Sequence, residues 1–161
     1  MPARDRALLE EAARAAGEIA RRHFRANPET WEKGDQGPVT EADIEIDAML
    51  HDRLLSARPG YGWLSEESTA MRRDAARVFT IDPIDGTRAF IEGNPDFTHA
   101  LAVIEDGVPV AAAIYQPVRD RMWTAHRGGG ATLDGAAIAP TGRDALAGAE
   151  VLAAKATFRP E

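Results

Sequence analysis

The sequence predicts an α+β fold in which two N-terminal helices are layered on an antiparallel sheet. Three observations predict it. Apolar residues recur at helical spacing only within residues 4–58. Apolar runs of strand length follow from residue 61 onward. Asp-Gly pairs at residues 106–107 and 134–135 punctuate the later runs, which is hairpin chemistry. Helices first and a meander after is the layering of an α+β domain.

The first helix is predicted over Arg4 to Arg25. Leu8, Ala12, Ala15, Ala16, Ile19 and His23 fall three and four apart, the opposite face is charged, and Asn27-Pro28 ends it. A polar loop with Trp31, Lys33, Gly34, Gly37 and Pro38 comes next. Thr40 starts a second helix. Thr40-x-x-Asp43 resembles a capping box, with Asp a shorter partner than the usual Glu. Ala42, Ile46, Met49, Leu50 and Leu54 give its apolar stripe, and Arg58-Pro59-Gly60 closes it. Two strands are predicted at Tyr61 to Ser65 and Val78 to Ile81, on either side of a charged loop from Ser68 to Arg77. A turn over Pro83 to Gly86 opens a short helical segment, Thr87 to Ile91. Strands follow at Thr98 to Ile104, Val108 to Tyr115 and Met122 to Ala125. Gly128-Gly129-Gly130 is read as a turn, and Val151 to Ala154 as the start of a further strand.

The chain's 161 residues fit one domain. At 44% hydrophobic it has enough apolar material for a core and too much for a disordered chain. No apolar run is long enough to span a bilayer, and Met1 to Leu9 lacks the apolar stretch of a signal peptide. There is no cysteine, which excludes disulfides and thiolate metal sites and makes a cytoplasmic location the simple expectation. The net charge of −7 is a poor match for nucleic acid or an anionic membrane. It is equally poor for an anionic small substrate, unless bound cations reverse the local sign.

The residues that carry chemistry lie between Thr40 and Phe90. Glu66-Glu67 follows one predicted strand, and Asp82 and Asp85 follow the next. Carboxylates at neighbouring strand ends converge and repel, unless they are protonated, solvated or bound to cations. With oxygen donors alone, the matching cation is hard: Mg²⁺, Mn²⁺ or Ca²⁺. In Asp82-Pro83-Ile84-Asp85-Gly86-Thr87, Pro83 fixes one φ and Gly86 permits a tight turn. Such a turn can aim Asp82, Asp85 and the Ile84 carbonyl at a common centre. The N–H groups of Gly86 and Thr87 then open a helix and are free for a phosphate oxygen. Metal ligands beside an anion site suit phosphate ester hydrolysis.

The same hexapeptide is also good turn chemistry with no ligand, and its company with Glu66 and Asp43 weighs against that reading. A haloacid-dehalogenase-type nucleophile needs Asp-x-Asp, whereas Asp82 and Asp85 are three apart with a proline between them. Asp47 is read as a surface acid and His99 as a satisfied structural histidine. Trp63 and Trp123 are read as core, and Lys33 as a loop lysine or a basic residue near the metals.

Three segments resemble the inositol monophosphatase family. They are Gly37-Pro38-Val39-Thr40-Glu41-Ala42-Asp43, Leu64-Ser65-Glu66-Glu67-Ser68 (with Ser65 in place of the usual Gly) and Ile81-Asp82-Pro83-Ile84-Asp85-Gly86-Thr87. Order and spacing agree as well, and the resemblance covers nearly the whole chain. It implies the N-terminal, metal-binding part of that family's αβαβα sandwich over residues 1–161. The implied metal ligands are Glu66, Asp82, Asp85 and the Ile84 carbonyl, for two or three Mg²⁺ with Mn²⁺ possible. Glu66, Thr87 and Asp43 are the implied catalytic residues. Thr87 would orient or help deprotonate the attacking water, and Asp43 would pair with the Thr87 hydroxyl or reach a further metal through water. Gly86 and Thr87 would hold phosphate. The resemblance further implies inhibition by lithium, a homodimer, and a small phosphorylated metabolite of the inositol monophosphate kind as substrate.

Two branches are resembled locally. The run from Phe97 to Gly107 is similar to 3'(2'),5'-bisphosphate nucleotidases, and Arg88-Ala89-Phe90-Ile91 to histidinol-phosphate phosphatases. The family's later Trp-Asp segment, whose aspartate completes the metal site, has no counterpart here. An absent C-terminal domain is therefore expected, and a non-catalytic metal-binding fragment is the alternative to an active enzyme.

Overall fold

The computed structural model describes residues 1–34 and 37–150. Helix α1 spans Pro2–His23, with proline in its first turn and Phe24 as its C-cap. Its buried face is Leu9, Ala12, Ala13, Ala16, Gly17, Ile19 and Ala20. Leu8 and Ala15, expected in that stripe, are only half-buried. Small residues dominate the face because the helix lies close on the sheet: a Cβ on Gly17 would stand 2.5 Å from the Tyr115 ring.

The segment read as a polar loop forms a small hairpin, β1 (Thr30–Glu32) with β2 (Pro38–Thr40), in which Trp31 pairs with Val39. Its pairing is short and its β1 side chains are exposed, so it left no hydrophobic signature. Helix α2 (Glu41–Ala57) begins where β2 ends. The capping box is complete despite the short aspartate. The Thr40 side chain accepts from Asp43 N at 3.4 Å, and Asp43 Oδ2 accepts from Thr40 N at 2.9 Å.

Among the described residues, seven strands form one sheet in the order β3-β4-β5-β6-β7-β8-β9. They are β3 (Gly62–Ser65), β4 (Arg77–Asp85), β5 (Thr98–Glu105), β6 (Val108–Gln116), β7 (Arg121–His126), β8 (Gly130–Leu133) and β9 (Ala136–Ile138). The short helix α3 (Thr87–Ile91) separates β4 from β5. The sheet is antiparallel as expected from β4 to β9, but β3 and β4 run parallel. The reason is in the connections. Short turns join β5 to β9 and α3 spans the β4–β5 connection, so each of these strands starts where its neighbour ended, whereas residues 66–76 run back along the sheet and start β4 at the same end as β3. The expected strand at Val151 to Ala154 lies outside the described residues.

Alternation along the strands separates two faces. Phe79, Ile81, Leu101, Val103, Ala111, Ala113 and Tyr115 enter the core with the buried faces of α1 and α2. Trp63 is fully buried, while Trp123 is only half-buried beneath Arg121. The other face carries Thr80, Ala100, Ala102, Ala112 and Ile114, which line an open apolar cavity of about 480 Å³. No helix among the described residues is long and apolar enough to cross a membrane.

Candidate active site

Four elements meet at the ends of β3 and β4. The capping box that starts α2 fixes Asp43, which is 1% exposed. Its Oδ2 accepts from Thr40 N and from Thr40 Oγ1 at 2.5 Å, leaving Oδ1 facing Thr87. The end of β3 brings Ser65, Glu66 and Glu67; the end of β4 brings Asp82 to Asp85; the first turn of α3 brings Thr87. The parallel pairing matters here, because it puts the C-terminal ends of β3 and β4 side by side.

Gly86 joins β4 to α3 with φ +94, and a Cβ there would stand 3.2 Å from the Asp96 carbonyl. Only glycine fits such a left-handed, crowded position without strain. The turn places Thr87 Oγ1 3.0 Å from the Ile84 carbonyl and 3.4 Å from Asp43 Oδ1. A hydroxyl has one proton, so Thr87 donates to one of these oxygens at a time.

Charge at the site is mostly uncompensated. Asp82 sits on the open face of the sheet, and its carboxyl is pushed up to about 7. Burial is the largest cause, followed by the negative charges of Glu66, Asp85, Asp43 and Glu67. Burial also raises Asp43, with Glu67 adding to it and the bonds from Thr40 opposing. Lys33, from the β1–β2 hairpin, donates to the Glu66 carbonyl and to Glu67 Oε2 at 2.7 Å. A cavity of about 380 Å³ is lined by Lys33, Gly37, Pro38, Ser65, Glu66, Glu67 and Thr87. Glu66 also borders the larger cavity that Asp82 faces.

The structure thus joins Asp43, Ile84 and Thr87 by hydrogen bonds and groups Glu66, Asp82 and Asp85 by mutual repulsion. Among the described residues, no three acidic or histidine side chains stand close enough to enclose an ion as they are. The donor set nonetheless fits a hard cation: every candidate ligand is oxygen, and the raised Asp82 carboxyl records negative charge that a cation would relieve.

Two residues depart from the expectations for them. Asp47 is not a surface acid; it is 5% exposed and accepts from Ser65 Oγ, which in turn accepts from Glu67 N at 3.3 Å. Its position one turn after Asp43, on the same helical face, was the available signal. His99 is buried as expected but only half satisfied. Nδ1 lies 2.5 Å from the Pro83 carbonyl, and Nε2 has no partner among the described residues. Burial lowers its pKa to about 4, so the ring is neutral.

Known proteins resemble this arrangement. The sequence profile of the Inositol monophosphatase family matches residues 3–159. The inositol-1-monophosphatase of Rhizobium meliloti (strain 1021) is 36% identical over 120 residues, covering 74% of this chain and 45% of that protein. The histidinol-phosphatase of Mycobacterium tuberculosis (strain ATCC 25618 / H37Rv) is 40% identical over 106 residues, covering 65% and 41%. The extragenic suppressor protein suhB from Bartonella henselae superposes with a TM-score of 0.80 at 33% identity, covering 84% of this chain and 54% of that one. The chain therefore spans about half the length of the curated relatives it matches.

Proposed function

The chain belongs to the inositol monophosphatase family, and from that premise we propose that it carries the metal-binding and water-orienting part of a Mg²⁺-dependent phosphomonoesterase. The observation that carries this reading is the Asp82–Thr87 turn. It delivers a hydroxyl to Asp43 and sets two carboxylates beside Glu66.

Glu66, Asp82, Asp85 and the Ile84 carbonyl are the ligands of this reading, for two or three Mg²⁺ with Mn²⁺ as an alternative. The bound ions would neutralise the phosphate and ready a water for in-line attack. The protein's own groups do the rest. Asp43, held by Thr40, keeps an acceptor on the Thr87 hydroxyl, so the Thr87 lone pairs turn toward the water and orient it. Glu66, which lines both cavities, is the carboxylate that would take that water's proton in this reading. Gly86 and Thr87 N–H groups face the phosphate. The substrate of this reading is a small phosphorylated metabolite of the inositol monophosphate kind. Histidinol phosphate is a second reading, favoured by the Arg88-to-Ile91 segment and by the 40% identical relative. Family membership also carries the expectation of a homodimer, which sedimentation of the purified chain reads directly.

The test is phosphate release by the purified chain with Mg²⁺ over inositol 1-phosphate, histidinol phosphate and 3',5'-bisphosphoadenosine, beside Asp85→Asn. Mg²⁺-dependent release that Asp85→Asn loses supports the whole reading and ranks the substrates. Calorimetric Mg²⁺ binding that Asp85→Asn loses, without turnover, supports the metal centre alone. A chain that neither turns over nor binds Mg²⁺ sinks both.

A further inference from the structure

The pairing of β4 with β5 breaks at the motif. Asp82 pairs with Ala100 and Asp85 with Thr98, so Pro83 and Ile84 together face the single residue His99. This is the two-against-one count of a β-bulge, which disrupts the ladder and re-aims the chain. Pro83 adds to the disruption because it has no N–H to donate. Its carbonyl is met instead by a side chain: His99 Nδ1 lies 2.5 Å away, inside the core. The next carbonyl, of Ile84, is met from the cavity side by Thr87 Oγ1 at 3.0 Å. Successive carbonyls of the bulge thus have neighbours on different sides: the His99 ring in the core for one, and for the other the Thr87 hydroxyl, whose single proton is shared with Asp43 Oδ1.

His99 is 0% exposed and its ring lies near those of Phe97 and Tyr115, with centroids 6.4 Å from each. A carbonyl can only accept, so the ring proton is on Nδ1, and the Nε2 lone pair has no partner among the described residues. A buried acceptor left unmade costs stability that a leucine of similar size would not. What distinguishes histidine at this place is the bond it makes to the bulge.

The geometry points to His99 as a positioning residue for the acidic site. Its Nδ1–H holds the Pro83 carbonyl inward, and so fixes the direction in which the Ile84 carbonyl and the Asp82 and Asp85 carboxylates face the cavity. That these groups hold metal rests on the function proposed above; that His99 holds the bulge does not.

His99→Leu removes the donor, and His99→Asn keeps an amide N–H near the Nδ1 position. His99→Met replaces the leucine variant should that one not fold. Two readouts separate the claims. The first is amide hydrogen exchange across residues 82–87 in the metal-free chain. The second is Mn²⁺ affinity by electron paramagnetic resonance. His99→Leu is expected to speed exchange in the bulge by about tenfold or more while β6 and β7 keep their rates. It is also expected to weaken Mn²⁺ binding by roughly ten- to a hundredfold, as loss of an outer-shell partner does. His99→Asn restores most of both. Bulge exchange at the wild-type rate in His99→Leu, or no rescue by His99→Asn, overturns the proposal. If the wild-type chain binds no Mn²⁺ while the exchange and its rescue behave as expected, the metal reading fails and the positioning role stands.

Discussion

The two ends of β4 treat negative charge in opposite ways. At its Arg77 end, Asp5 has no exposed surface, yet every oxygen is met. Arg58 Nε lies at 3.0 Å, Arg77 at 3.2 Å and the Tyr61 hydroxyl at 3.0 Å. Arg77 also pairs with Glu105 at 2.6 Å, and its guanidinium is held above its usual range, first by Tyr61 and then by Glu105. At the Asp82 end, no salt bridge reaches Glu66, Asp82 or Asp85 among the described residues. Lys33 serves only the neighbouring Glu67 and the Glu66 carbonyl. The first end is a lock that ties the start of α1 to the end of α2 and to the sheet. The second is left with like charges that the fold itself does not neutralise. At the first end the chain supplies its own guanidinium groups; at the second it supplies none to the carboxylates of Glu66, Asp82 and Asp85 among the described residues.

The largest effect is expected from Asp5→Asn. It strands two arginines around a buried neutral amide and is expected to lower the unfolding free energy by about 3 kcal/mol in urea. Glu66→Gln at the other end should leave metal-free stability unchanged or raise it. A neutral Asp5→Asn would mean the lock does not hold the fold.

Acid sharpens the contrast next. His99 is neutral in the fold with a pKa near 4, against an ordinary 6.5. The unfolded chain therefore binds the extra proton between those values. Its stabilising effect is complete above pH 6.5 and is lost as pH falls toward 4, by about 3 kcal/mol at most. His99→Asn should flatten that part of a stability-against-pH curve; an unchanged slope would assign the acid loss elsewhere.

A cation should act at the second end only. Mg²⁺ at a hundred times its dissociation constant is expected to add about 2.7 kcal/mol to stability. Asp85→Asn should abolish the gain while leaving the chelated protein as stable as before, or more so. A gain that survives Asp85→Asn would move the ion to another place. The smallest effect is backbone. Gly86→Ala, at φ +94 and 3.2 Å from the Asp96 carbonyl, is expected to cost about 1–2 kcal/mol. It should also blunt the Mg²⁺ response, because the turn that aims Thr87 shifts. Thermal melts with and without Mg²⁺ read both effects.

Much of the architecture was legible locally. Thr40 and Asp43 announced the start of α2, and the structure makes both halves of the box. Asp106-Gly107 announced the β5–β6 hairpin, and both residues have the positive φ such a turn needs. The site segments were legible as turn and acid chemistry. Less legible were features that depend on what lies opposite in space. The β1–β2 hairpin is too short and exposed to show a pattern. Asp47 shares a helical face with Asp43, but only β3 brings Ser65 to it and makes it a buried acid. The parallel run of β3 beside β4 left no signal along the chain, since the β4–β5 connection is as long and its strands are antiparallel.

Local sequence sets the order of the helices and of the strands from β3 to β8, the face of α2 that carries Asp43, and the turn from Asp82 to Thr87. Those follow from side-chain periodicity, capping and the φ preferences of Pro83 and Gly86, which act within a few residues. Tertiary structure alone decided which acids are paired and which are not, and that His99 would close the bulge opposite Pro83. A charge's energy depends on burial and on neighbours brought from distant positions, such as Arg77 to Asp5 or Thr87 to Asp43, and spacing along the chain does not encode those distances.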